Sequence, residues 1–494
     1  MKNKRNILSK PVITITAITV ITIFFACNSA TQRSTQKRTK KPNILFIFAD
    51  DLNYQMVHAT GNAELTVPNL DKLVEEGVMI THAYNMGSWS PAVCMASRGM
   101  LNTGRFLWKA QSVEPKLNQL TRKGDIWAKL MEKAGYETYM TGKWHVKVAA
   151  DSVFDHVVHV RPGMPNQTPQ GYNRPLSPQD TIWEPWDTKY GGYWKGGKHW
   201  SEVLGDDAVN FLKGASKSDK PFFMYLAFNA SHDPRQSPKK FVDMYPIDKV
   251  SVPENFLPEY PYEDQIGCGK KLRDECLMPF PRTKYAVKVN RQEYDAITTH
   301  MDVQIGRILD ALRETGKLDN TYIFFTADHG LAVGEHGLAG KQNLYDCSLR
   351  VPLIVVGPKV PKNKKIDTDV YLQDIMASAL DIVGVKKPDF VDFNSFMPII
   401  HGKRGKSYYN AIYGAYLNLQ RMIRKDGFKL IIYPKVPVVR LYNLNDDPHE
   451  MVDLGQDSKY QGKIRSLFAD FEKLQVKMED TLNLKYYFPD LSTR

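Results

Sequence analysis

The chain has 494 residues, 43% hydrophobic and 24% charged, an ordinary globular composition with enough apolar material for one large and one smaller domain. Its formal charge of +12 would suit a polyanion binder, but residues 1–41 hold nine Lys or Arg and no Asp or Glu, so 12 minus 9 leaves +3 for the rest. That balance excludes a general nucleic-acid binder. The five cysteines (Cys27, Cys94, Cys268, Cys276, Cys347) are too few and too scattered for a disulfide framework, and no CxxC zinc spacing occurs. Cys268 and Cys276 leave two readings open, a bridge in an oxidising compartment or two free thiols.

The amino terminus opens with a basic segment, Met1-Lys2-Asn3-Lys4-Arg5, followed by sixteen mostly apolar residues at 11–26. The run is short for a membrane span and starts at the terminus, so residues 1–26 read as a signal peptide. Phe24-Phe25-Ala26-Cys27 resembles a bacterial lipobox with looser residues before the alanine, so lipid attachment at Cys27 is expected. Residues 27–41 form a basic Ser/Thr/Gln linker that would tether the rest of the chain at a membrane. With no acidic run after Cys27, the expected location is the periplasm.

Residues 43–49 are a near-continuous apolar run and predict a central parallel strand buried on both faces. The run ends in Asp50-Asp51, where ligands bind in open α/β sheets. Two adjacent carboxylates there need a cation, or they raise each other's pKa. Alone, the pair would read as a helix cap or a solvated turn.

Residues 90–104 predict a short helix. Ser90-Pro91 supply a hydroxyl acceptor and a pre-set φ at its start, and Gly104 suits its end. Cys94 and Arg98 are four apart and share one face. Cys94 falls in the first turn, where unpaired N–H groups and the dipole favour an anion. Taken alone, this pair reads more simply as a buried structural cysteine beside a surface arginine.

Thr141-Gly142-Lys143-Trp144-His145 follows. Residues 161–200 then interleave Tyr172, Trp183, Trp186, Tyr190, Tyr193, Trp194 and Trp200 with Arg161, Arg174, Lys195 and Lys198. Aromatic faces stack on sugar rings and cations match sulfate or carboxylate, although burial against a sheet explains the same tryptophans equally well. A second strand is predicted at 221–228, before Ser231-His232-Asp233-Pro234. Residues 264–282 are an insertion with no legible role. Tyr294, Ile297, Met301, Ile305, Ile308 and Leu312 recur at helical spacing and predict a core-packing stripe closing at Gly316.

A third strand at 321–327 ends in Asp328-His329-Gly330, and a glycine-rich stretch then leads to Lys341. His336 within it reads as a structural loop residue. A fourth strand at 351–356 ends at Gly357-Pro358. Three apolar strands thus end in metal-ligand or acid/base residue types, and convergence on one sheet edge is expected. The fold class predicted is α/β, a mostly parallel doubly wound sheet flanked by helices over 42–400. A helix at 371–383 closes that domain. Short strands at 411–413, 420–424, 429–433 and 441–444, then a helix at 462–478, predict a smaller C-terminal α+β domain on an antiparallel sheet over 401–494.

Cys94-x-Ala96-x-Arg98 followed by Leu101-x-Thr103-Gly104-Arg105 resembles the signature of type I (formylglycine-dependent) sulfatases of the alkaline phosphatase superfamily. The commoner family pattern has proline where this chain has Ala96. Gly142-Lys143-Trp144-His145 and the turn Leu444-Asn445-Asp446-Asp447-Pro448-His449-Glu450 also resemble family elements, so the likeness spans about residues 42–455. It implies oxidation of Cys94 to formylglycine by a sulfatase-maturing enzyme. It implies a metal set of Asp50, Asp51, Asp328, His329 and the oxygen of modified residue 94. Three carboxylates favour Ca²⁺ or Mg²⁺ over zinc, and the resemblance selects Ca²⁺.

By the same resemblance, His145 takes a proton from the nucleophile and His232 protonates the leaving sugar oxygen. Lys143, Lys341 and the metal offset charge on sulfate, and Arg98 supports the nucleophile. The function expected is sulfuric ester hydrolysis on a sulfated polysaccharide or oligosaccharide. The rivals are a phosphoesterase or phosphonate monoester hydrolase on the same scaffold, and a non-catalytic glycan-binding lipoprotein.

Overall fold

The computed structural model describes residues 40–492. The signal segment 1–26, Cys27 and nearly all of the 27–41 linker lie outside the described residues. From Lys41 onward the chain forms one compact unit. Among the described residues, no helix is long and apolar enough to cross a membrane.

The strands, in chain order, are β1 (Asn43–Ala49), β2 (Val78–Tyr84), β3 (Gly87–Ser88), β4 (Glu137–Lys143), β5 (His156–Arg161), β6 (Trp194–Lys195), β7 (Lys198–His199), β8 (Phe222–Ala227), β9 (Thr321–Ala327), β10 (Arg350–Val356), β11 (Lys364–Ile366), β12 (Val370–Tyr371), β13 (Ile412–Tyr416), β14 (Gln420–Lys425), β15 (Phe428–Tyr433) and β16 (Val438–Asn443). The main sheet runs β11-β2-β10-β9-β1-β8-β4-β5, with β12 also on β2. β1 lies between β8 and β9, parallel to both, with Phe46 opposite Tyr225 and Phe324. All seven of its residues are buried, because helices cover both faces of the sheet.

β10 departs from the expected direction: it runs antiparallel to both β9 and β2. The reason lies in its connection. A parallel partner for β9 would need a crossover back to the opposite edge. Residues 328–349 instead stay at the carboxyl edge, where Gly330 N–H donates to Ser348 O at 2.9 Å. β10 therefore starts beside the site and ends, at Gly357, away from it.

The principal helices are α1 (Val93–Thr103), α2 (Trp200–Ala215), α3 (Lys284–Glu314), α4 (Asp374–Ile382) and α5 (Gln461–Met478). The stripe from Tyr294 to Leu312 on α3 is buried, as its spacing predicts. The expected helix at 371–383 begins only at Asp374, because Tyr371 is still paired with Tyr84 of β2. The second sheet, β16-β15-β14-β13-β3, is antiparallel except for the β13–β3 pair. Ile464, Leu467, Phe468 and Phe471 bury the inner face of α5, and Phe471 stacks on Tyr413 of β13 with ring centroids 5.5 Å apart. Cys268 and Cys276 are both free thiols, which decides between the two readings of that pair.

Candidate active site

β1, β4, β8 and β9 are parallel, so their carboxyl ends meet on one edge. Backbone bonds stitch that edge together. Asp50 N–H donates to Ala230 O at 2.9 Å, Ser231 N–H to Asp50 O at 2.6 Å, and Asp328 N–H to Ala49 O at 3.3 Å. The start of α1 faces the same edge. The helix begins at Val93, three residues later than Ser90 suggested, and Ser90 Oγ accepts only from Ala92 N–H, at 3.2 Å. Cys94 still sits in the first turn, and Gly104 closes the helix in the left-handed region at φ +69°.

Every residue expected at the site is brought there. Asp50, Cys94, Asp328 and His329 present ligand atoms within 4.8 Å of one another, and so do Asp50, Asp51, Cys94 and His232. Asp51 N–H donates to Asp328 Oδ1 at 3.3 Å, and Lys341 Nζ reaches Asp51 Oδ1 and Oδ2 at 3.0 and 2.8 Å. Asp50 pairs with Lys143. Burial, and then the nearby Asp328 charge, push Asp50 well above the usual carboxylate range. Asp51 itself is held at φ +56°, a left-handed conformation costly for a non-glycine residue.

Arg98 ties the cluster to the fold. Its Nε donates to Asp328 Oδ2 at 2.9 Å and its Nη1 to Lys143 O at 2.6 Å, while Nη2 lies 3.9 Å from Asp50 Oδ1. The Phe48 ring covers the guanidinium at 4.6 Å. Asp328 is held below the usual range: burial raises it, but His329 and Arg98 outweigh burial.

The cluster fits a divalent cation on its own terms. Asp50 Oδ1 and His329 Nε2 are buried without a hydrogen-bond partner. His329 Nδ1 lies 2.8 Å from Gly330 O, which fixes a hydrogen there and leaves Nε2 facing Asp51 Oδ1 at 3.2 Å. Burial lowers the imidazole, but Asp328 and Asp51 raise it to about 9, a proton standing where a metal charge would.

Cys94 is 2% exposed. Burial raises its thiol, but Lys143, Lys341, His329 and a hydrogen bond with His145 hold it well below the ordinary value. Lys341 Nζ is 3.6 Å from its sulfur. His145, at φ +51°, lies under Gly163, where an added Cβ would sit 2.5 Å from the ring. Burial is the first cause that lowers His145. His336 keeps the structural part read for it, stacked on Tyr345 at 3.7 Å. Of the 161–200 aromatics, Tyr193 and Trp200 pack into the core, while Trp183 and Trp186 are half-buried.

Sequence reasoning missed three contributors. Asp233 touches His232, Asp274 touches Lys341 at 3.7 Å, and Arg273 bridges the two aspartates. Asp233 stood beside a motif histidine, the one signal that pointed to it. Residue 274 opens a four-residue 3-10 turn, Asp274–Leu277, that Arg273 precedes, too short a stretch to show a periodicity.

Fold and site together define an α/β protein whose carboxylate-rich, cysteine-bearing site lies at the carboxyl edge of a mostly parallel sheet. A family model described as Sulfatase matches residues 42–385, and one described as N-sulphoglucosamine sulphohydrolase, C-terminal, matches 334–477. The chain therefore belongs to the sulfatase family and is a sulfatase. A sulfatase of Formosa agariphila is 27% identical over 502 residues, covering 95% of this chain and 94% of that protein. The N-acetylglucosamine-6-O-sulfatase of Bacteroides thetaiotaomicron is 26% identical over 524 residues, covering 90% and 88%. A solved structure holding its substrate D-glucosamine-2-N,6-O-disulfate shares the fold at TM-score 0.70 and 22% identity, covering 90% of this chain and 99% of that one. A phosphonate monoester hydrolase of Silicibacter pomeroyi does so at TM-score 0.69 and 19% identity, covering 90% and 96%.

Proposed function

We propose that this sulfatase removes sulfate from a sulfated polysaccharide or oligosaccharide, with residue 94 matured to formylglycine and Ca²⁺, or Mg²⁺ in its place, as cofactor. The observation that carries the proposal is Cys94 itself, in a helix first turn, inside the carboxylate cluster and within reach of Lys341. Hydrated formylglycine supplies a hydroxyl to attack the ester sulfur and a second hydroxyl through which sulfate is later expelled. The cation supplies charge to the sulfate oxygens, and Asp50, Asp51, Asp328 and His329 would hold it.

The chain's own side chains supply the rest. His145, against residue 94, takes the proton of the attacking hydroxyl. Lys143 and Lys341, both buried, offset the sulfate charge. Arg98 fixes Asp328 and the backbone at Lys143, and so the frame around residue 94. His232 delivers a proton to the departing sugar oxygen. Thiolate chemistry alone would leave a sulfated adduct that is hard to break, which is why the modified residue suits the reaction.

The named relatives support a glycan substrate, and the sulfatase-maturing enzyme is the partner this reading requires. Export to the periplasm and a lipid anchor at Cys27 complete the proposal. The likeness to phosphonate monoester hydrolases favours one rival reading. Parallel assays on a sulfate ester and a phosphonate monoester separate them. Faster sulfate release is expected, and faster phosphonate cleavage would favour the rival.

A further inference from the structure

The irregular segment 264–282 delivers two consecutive side chains to the catalytic centre. Asp274 accepts from Gln342 Nε2 at 2.7 Å and stands 3.7 Å from Lys341 Nζ. Arg273 bonds its neighbour Asp274 through Nη2 and reaches Asp233, with Nη1 2.9 Å from Oδ2 and Nη2 3.4 Å from Oδ1. Tyr172 Oη donates to the same Oδ2 at 3.1 Å. Asp233 is 2% exposed, so these bonds are made out of water.

Asp233 in turn faces His232. The ring Nδ1 meets two acceptors, Asp233 O at 2.8 Å and Asp233 Oδ1 at 2.9 Å. An atom between two acceptors carries the hydrogen, which leaves Nε2 as the atom turned to the reacting groups. Nε2 lies 2.9 Å from Lys341 Nζ and 3.8 Å from Asp51 Oδ2, at the centre of the site. With both carboxylate oxygens of Asp233 engaged, the ring can neither flip nor swing without breaking a buried charged contact.

We propose that Asp233 is a positioning residue for His232, and that Arg273 of the 264–282 segment holds Asp233 in place. The proposal rests on the reading in which His232 protonates the leaving oxygen. A proton donor matters most when the leaving group is a poor one, such as a sugar hydroxyl, and least for a nitrophenolate.

The test compares hydrolysis of a sugar sulfate and of 4-nitrophenyl sulfate by fully matured Asp233→Ala, Arg273→Gln and His232→Ala variants, with formylglycine content measured by mass spectrometry. Asp233→Ala is expected to slow kcat on the sugar sulfate about 100-fold more than on the aryl ester, with KM moving less than about threefold. Arg273→Gln is expected to show the same selectivity at about tenfold, and it decides the matter if Asp233→Ala does not fold. Equal slowing of both esters by Asp233→Ala and Arg273→Gln, with His232→Ala still selective, overturns the proposal alone. A non-selective His232→Ala overturns the reading beneath it.

Discussion

Arg98 carries its charge where no water reaches. Burial pulls its guanidinium down, but Asp328 and Asp50 more than compensate and hold it above its ordinary value. Removing it would strip buried Asp328 of its bonded guanidinium and leave Asp50 with Lys143 alone. Arg98→Ala is expected to cost about 3–5 kcal/mol in chemical denaturation. Arg98→Lys keeps the charge but loses the fork that joins Asp328 to Lys143 O, so stability should return in part while activity stays low. The cation makes a second test at this scale. Chelation should abolish sulfate release, and returned Ca²⁺ should restore more activity than Mg²⁺. Activity indifferent to chelator would contradict the use made of Asp50, Asp51, Asp328 and His329.

At the scale of elements, β4 does more than fill the sheet. Its register against β5 shifts between Thr141 and Gly142, with the extra residue, His159, on β5, and β4 ends in Lys143, which pairs with Asp50. Gly142 sits at φ +91°, and a Cβ there would lie 1.9 Å from Ala227 O of β8. Gly142→Ala combines a disfavoured φ with a backbone clash and is expected to destabilise by about 2–4 kcal/mol in denaturant unfolding. Because Lys143 is the next residue, lost activity should exceed what unfolding explains. A variant of unchanged stability would show that β4 and β8 can part more easily than their packing suggests.

The whole molecule depends on contacts between the main sheet and the second one. Lys429 of β15 is buried against Asp346 and Glu450, and His336 lies close by. Burial, then Lys429 and Arg440, lower His336 to about 3. A histidine depressed in the folded state contributes stability that is present above its unfolded value, near 6.5, and lost as pH falls toward 3. The protein should therefore lose stability progressively over that window, and His336→Phe, which keeps a ring on Tyr345, should flatten the loss. An identical pH profile for the variant would remove His336 from the explanation.

Much of this molecule was legible in its sequence, for physical reasons. β1, β8 and β9 are buried on both faces, so they read as apolar runs, and the polar residues that end them stand out. Cys94 and Arg98 share a helix face, and so their joint placement could be read from spacing. The direction of β10 could not, because an apolar run looks the same in either direction. The pairing of Gly87-Ser88 with β13 left no pattern in two residues. Arg273 and Asp274 reach the site at the start of a four-residue 3-10 turn, Asp274–Leu277, too short for a period to show in the sequence.

The most direct measurement is sulfate release from a panel of sulfated glycans by protein co-produced with a formylglycine-generating enzyme, set against its Cys94→Ala variant. Release from at least one glycan by the matured protein, lowered about 1,000-fold or more in the variant, is the expected result. Equal release by both proteins would contradict the role of residue 94.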